Sequence, residues 1–314
     1  MASNNYSYSK IDTYVQCPFK YKLKYIDNHY CYTASISTEL GTAIHACEEA
    51  IARAIQASER IPYKKLKNYL ILKLSELQYK YKKDFIELDK SNRTFLDKIY
   101  YYLETGIYKL EQFMQLHPSY RIVGIEQPFN ITYKTGEVFK GFIDRVFYDS
   151  STDHYIIQDI KTYAIPVEKE KLATPLQFVI YTIAAKELYN CDISQISCQY
   201  YLPFCDLTQD AGSKGFVMRG ISKIDNIFDK IKSIDFTPKP SPLCNWCEYC
   251  ISNPNATGEE KYLCPYFSHW DRTTRKKGDI SNVENIWQGL ERHPVILENY
   301  LNKVKGGDNS IWQK

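Results

Sequence analysis

The stretch from Gly141 to Thr162, GFIDRVFYDSSTDHYIIQDIKT, constrains this chain more than any other. Val138-Phe139 leads into Phe142-Ile143-Asp144-Arg145-Val146-Phe147, and a second β-branched run follows at Tyr155-Ile156-Ile157. Polar residues 149–153 join the two runs, so the pattern predicts an antiparallel hairpin. Strand side chains alternate faces, so Asp159 and Lys161 point the same way, and Asp144 can sit across from them. Two carboxylates and a lysine on one sheet surface make a poor core and a good site for a hard divalent cation. The ammonium would orient a water or hold a phosphate. Taken alone, the stretch equally describes an exposed face with a salt bridge, because D-x-K is common in any sequence.

At 314 residues the chain is long enough for one large domain or two small ones. Charged residues at 25% and hydrophobic ones at 44% are ordinary for a soluble globular protein. A net charge of +3 gives no bulk argument for nucleic-acid binding, which would need a local basic groove. The 28 tyrosines can stack on bases, but most read as half-buried packing residues on helices. No apolar run approaches the ~20 residues of a membrane span, and MASNNYSYSK lacks the layout of a signal peptide. The expected setting is the cytoplasm of a bacterial or phage-infected cell, with no membrane partner. In that reducing setting the ten cysteines read as metal ligands or buried thiols rather than disulfides.

Taken in order, residues 1–60 predict two helices. The first, from Tyr8, is interrupted at Cys17-Pro18 and resumes through Phe19, Tyr21 and Leu23. The second starts near Glu39 and runs to about Ala57, with His45 in its first turns. A lone helical histidine is more often a packing or surface residue than a ligand. Residues 61–118 carry leucines and aromatics at mixed three and four spacing, a helical insertion broken by a polar loop at 88–93. Its lysines read as a solvated face. Residues 119–236 switch to a sheet with helices: a strand at 121–131 carrying Glu126, the hairpin, a helix from Pro175 to Ala185, and a strand at 193–203. Gln177 and Tyr181 are polar groups four apart on that apolar helix. Phe216-Val217-Met218 is a candidate further strand before a helix at 221–234. In the module at 237–267 a proline-rich lead delivers Cys244-x-x-Cys247-x-x-Cys250, with Cys264 beyond. That density of cysteines in a loop-rich segment is a strong metal or cluster signal. The tail, 268–314, is polar with scattered tryptophans.

These residues together resemble the PD-(D/E)XK nuclease superfamily, in its RecB-like and AddB-like branch, which includes CRISPR-associated iron-sulfur exonucleases. Ser9 to Pro18 looks like the opening helix and cysteine, and Gly41-Thr42-Ala43-Ile44-His45 like G-x-x-x-H. Glu126 stands where the family often has an acid. Gly141-Phe142-Ile143-Asp144 looks like G-x-h-D, Asp159-Ile160-Lys161-Thr162 like D-h-K-T, and Gln177 to Tyr181 like Q-x-x-x-Y. Ile143 replaces the nominal proline before the first acid, as is common in this branch.

The resemblance implies an α/β, restriction-endonuclease-like core, a mixed central sheet flanked by helices, with a helical insertion and a cysteine-rich iron-sulfur module. It implies a metal-dependent DNA nuclease, an exonuclease serving recombination, repair or replication. Asp144, Asp159, Lys161, Gln177 and Tyr181 would be catalytic, and His45, Asp144, Asp159 and the Ile160 carbonyl would hold Mg²⁺ or Mn²⁺. Cys17, Cys244, Cys247 and Cys264 would bind a [4Fe-4S] cluster, with Cys250 the alternative fourth ligand and Zn²⁺ the alternative metal. DNA, single-stranded or at a free end, would be the partner, with recombination or replication proteins beside it. The competing reading is a catalytically idle DNA-binding subunit of such a complex.

Overall fold

A computed structural model describes residues 5–31, 35–82, 93–162, 165–250, 253, 256 and 258–264. The tail at 268–314 and most of the loop at 88–93 lie outside them. The described residues form two units: residues 5–8 with 35–226, and residues 9–31 with 227–264. In chain order the first half holds β1 (Asn5–Tyr6), α1 (Tyr8–Gln16), α2 (Pro18–Tyr21), α3 (Ile36–Gln56), α4 (Tyr63–Lys80), α5 (Phe95–Glu104) and α6 (Lys109–Leu116). The second holds β2 (Tyr120–Thr132), β3 (Val138–Asp149), β4 (His154–Ile160), α7 (Lys169–Ala173), α8 (Leu176–Tyr189), β5 (Ile196–Leu202), β6 (Leu207–Ala211) and α9 (Phe216–Lys232).

The larger unit is a mixed six-stranded sheet flanked by helices. Its order is β1–β3–β4–β5–β6, with β2 along the other edge of β3. β2–β3, β3–β4 and β5–β6 are antiparallel; β1–β3 and β4–β5 are parallel. On the edge of β3 away from β2, β1 takes Val138 and Phe139, and β4 takes residues 145–149. The stretch 140–144 between them has no strand partner on that edge among the described residues. A gap therefore opens where β3 and β4 part, and Asp144 lies in it.

Helix α3 is amphipathic at helical spacing, burying Leu40, Ala43, Ile44, Cys47 and Ile51. Ser35 caps it, its hydroxyl accepting the Thr38 N–H. Helix growth thus begins at Ile36, earlier than the start near Glu39 that the sequence pattern suggests, and His45 sits in the third turn. Phe216-Val217-Met218 is not a strand. It opens α9, whose Gly220 lies so close to α8 that an added Cβ would meet Val179 at 2.2 Å. The extra strand is β6, paired to β5 from Cys198↔Ala211 to Leu202↔Leu207.

The larger unit also contains a buried polar network. Arg145 on β3 and Glu48 on α3, 2% and 1% exposed, pair at 2.8 Å. Arg145 also donates to Gln158 Oε1 at 2.9 Å, and the Tyr102 hydroxyl donates to Glu48 Oε1 at 2.7 Å. These bonds satisfy two charges that would otherwise be very costly in the interior, and tie α3 and α5 to the sheet.

In the smaller unit the Tyr14 hydroxyl donates to the Asp235 carbonyl at 2.5 Å, and Tyr21 stacks on Phe236 with centroids 6.1 Å apart. Both contacts tie the N-terminal helices to the chain that follows α9.

Candidate active site

Register builds the site. Arg145 pairs with Gln158, so one step further along the same antiparallel register sets Asp144 opposite Asp159. The Asp144 carboxylate turns into the gap and accepts the Ile160 N–H at 2.7 Å. On the other side of β3, Ile125↔Arg145 and Gln127↔Ile143 bracket Glu126, which therefore opposes Asp144. Glu126 has φ +42°, an uncommon backbone for a residue with a side chain, shortly after a register shift between Ile122 and Gly124. Backbone strain of this kind collects at functional sites.

Helix α3 supplies His45, whose Nδ1 lies 3.7 Å from Asp144 Oδ2. Among the described residues, His45, Glu126 and Asp144 form the group whose donor atoms all fall within 4.8 Å of one another. Gly41, one turn earlier, allows this approach: a Cβ there would stand 3.2 Å from Thr162 Oγ1 at the end of β4. Gly141 serves the hairpin, since a Cβ would press to 2.8 Å from the Phe129 ring. Burial pushes the Glu126 carboxyl up, and the Asp144 carboxylate beside it adds to the shift. Two acids and an imidazole crowded in this way suit a divalent cation.

Asp159 is 1% exposed. Burial is the main cause pushing its carboxyl up to about 6, with Asp144 raising it further and the Lys161 ammonium pulling it back. Lys161 Nζ lies 2.7 Å from Asp159 Oδ2, but as an ion pair without hydrogen-bond alignment. Oδ2 itself accepts no hydrogen bond. The Lys161 ammonium is the charge that balances this buried carboxylate oxygen.

Helix α8 sets the remaining atoms. Gln177 in its first turn donates to Asp159 Oδ1 at 2.7 Å and to the Tyr181 hydroxyl at 2.9 Å, and Lys161 Nζ donates to Gln177 Oε1 at 3.2 Å. Gln177 thus fixes Asp159 and Lys161 with one side chain. Burial pushes the Tyr181 phenol well up, so it stays neutral.

The structure places Asp144, Asp159, Lys161, Gln177, Tyr181, His45 and the Ile160 backbone in one neighbourhood. It adds Glu126 to the group around Asp144. An acid on the first long strand is the sequence signal for Glu126; the bulge that turns it inward leaves no mark on a period-two pattern.

The cysteines gather elsewhere, in the smaller unit. Cys17, Cys244, Cys247, Cys250 and Cys264 line one cavity of about 90 Å³, walled by Phe19, Trp246 and Tyr249. Cys17 stands at the N-cap of α2 in extended conformation. Its sulfur accepts the Lys239 N–H at 3.4 Å, as the Cys244 sulfur accepts that of Ser241 at 3.4 Å. Burial pushes the Cys247 thiol up to about 12.

No helix among the described residues is long and apolar enough to cross a membrane. A curated relative, an ATP-dependent helicase/deoxyribonuclease subunit of Carboxydothermus hydrogenoformans, is 24% identical to this chain. The alignment, 329 positions long, covers 98% of this chain but only 28% of that protein. The sequence model of the PD-(D/E)XK nuclease superfamily matches residues 5–251, a span that takes in the gap between β3 and β4 and all its acids. The chain belongs to the PD-(D/E)XK nuclease superfamily.

Proposed function

We propose that this protein is a metal-dependent deoxyribonuclease that trims DNA from an end, serving recombination, repair or replication in a bacterial or phage-infected cell. The observation that carries the reading is the convergence of His45, Glu126 and Asp144, whose donor atoms fall within 4.8 Å of one another, beside the buried Asp159–Lys161 ion pair at 2.7 Å. His45, Asp144, Asp159 and the Ile160 carbonyl, with Glu126, would hold Mg²⁺ or Mn²⁺; the imidazole favours Mn²⁺. Such a cation lowers the pKa of water and offsets charge on a phosphate under attack. Lys161 orients the attacking water or neutralises the scissile phosphate. Gln177 keeps Lys161 and Asp159 aligned, and Tyr181 holds Gln177 by accepting its second amide proton. The relative's name, which includes deoxyribonuclease, supports DNA as the substrate.

The cysteine cavity would hold a [4Fe-4S] cluster on Cys17, Cys244, Cys247 and either Cys264 or Cys250, with a structural role. Two backbone N–H groups directed at sulfurs support this, since cluster thiolates are stabilised by such donors.

The test is cleavage of end-labelled single- and double-stranded DNA with Mg²⁺ or Mn²⁺, for the wild type and Lys161→Ala. The variant should lose activity by roughly 100-fold or more while keeping its melting temperature. Cleavage by Lys161→Ala at the wild-type rate would remove Lys161 from the mechanism, and no cleavage by either protein would remove the nuclease reading.

A further inference from the structure

We infer that Phe142 is a base-stacking platform beside the scissile phosphate, so that the strand fed into the site must be unpaired there. The inference deepens the nuclease reading and rests on it. Phe142 is 58% exposed, and its ring has no stacking partner among the described residues. Its strand neighbours Ile143 and Phe139 are 0% exposed, so the other face of this stretch of β3 is core. Lys140 and Phe142 are both exposed, and Asp144 follows Phe142 by two residues along the strand. Pro128 lies opposite Phe142 and Asn130 opposite Lys140, all of them exposed. An apolar ring, a cation and an amide thus follow one another along the ribbon that ends at the acid cluster.

This order matches a nucleic-acid strand. A phosphate at Asp144 and Lys161 places the adjoining nucleotide over the ring two residues away, roughly 7 Å along the strand. Lys140 then meets a neighbouring phosphate. Every base has a π-face, so such a platform tolerates any sequence, but a base still stacked in a duplex cannot reach it.

The experiment uses the full-length protein and single-stranded oligonucleotides with 2-aminopurine at each position in turn near one end. Binding is followed by fluorescence in EDTA, and cleavage by gel with Mn²⁺, for the wild type, Phe142→Ala and Phe142→Trp. The wild type should quench one or two label positions. Phe142→Ala should lose that quenching and bind the single strand roughly 10- to 100-fold more weakly. Its melting temperature should be unchanged, and Phe142→Trp should restore both signals. If the wild type cleaves DNA and Phe142→Ala binds, quenches and cleaves as well, the platform is overturned and the nuclease stands. If quenching depends on Phe142 but nothing cleaves, the platform stands and the nuclease falls. A wild type that binds no single strand, or a dimer that Phe142→Ala splits with DNA binding intact, also overturns the platform.

Discussion

Replacing Asp159 with asparagine should stabilise the metal-free protein while ending its chemistry. Asp159 is 1% exposed, and burial outweighs the Lys161 ammonium to lift its carboxyl from 3.8 to about 6. Between those values the folded chain keeps a proton that the unfolded chain has released, so stability falls as pH rises through that window and stays lower above it. At roughly 1.4 kcal/mol per pH unit the loss is about 3 kcal/mol. Asparagine carries no charge, and its carbonyl still accepts from Gln177, as Asp159 Oδ1 does at 2.7 Å. In EDTA at pH 8, Asp159→Asn should therefore melt above the wild type, by up to roughly 6–12 °C for a unit of this size. At pH 4 the two should melt together. Mn²⁺ should then raise the wild type and leave the variant where it is, because binding to the folded state alone stabilises it. Calorimetry at the two pH values, with and without Mn²⁺, reads all of this. A variant less stable than the wild type at pH 8 in EDTA, or a difference independent of pH, refutes the reasoning.

Glu48→Ala strands the Arg145 guanidinium in the core and should cost about 3–5 kcal/mol in urea unfolding. Glu48→Leu with Arg145→Met should recover most of that loss, and a single variant costing under about 1 kcal/mol would show that the network is not what ties α3 to β3. Cys17→Ala should lower the iron bound per purified chain together with solubility; an iron-replete, soluble variant would remove Cys17 from the ligand set.

Some of the site was legible because its chemistry coincides with a period. Asp144, Asp159 and Lys161 sit in or beside β-branched runs, where alternation alone puts acids on one side, and antiparallel register then decides who faces whom. Gln177 and Tyr181 were legible as a helical i, i+4 pair. What stayed hidden depends on events without a period. The register shift after Ile122 and the positive φ at Glu126 change where one carboxylate points, and no sequence pattern encodes either. Nothing local marks Arg145 and Glu48 as partners, because a buried ion pair across 97 positions leaves no trace in either segment. The start of α9 is hidden too, because Phe216-Val217-Met218 is a good strand tripeptide by propensity. In the fold these residues open α9, whose Gly220 packs closely on Val179 of α8, a tertiary contact that no local propensity reports.

The feature that unites these cases is the gap between β3 and β4. The unpaired edge of β3 at 140–144 is partly open to solvent, with Lys140 and Phe142 exposed, so water can serve some of its polar groups. Here Asp144 fills part of the gap by accepting the Ile160 N–H, while Asp159 Oδ2 pairs with the Lys161 ammonium at 2.7 Å. The sheet thus gives up part of its ladder where the acids collect, and the buried Glu48–Arg145 pair next to the gap holds α3 and β3 in register around it. Weakening that pair should therefore disturb the alignment of His45 with Asp144 before it unfolds the unit, since both contacts hang on the same helix.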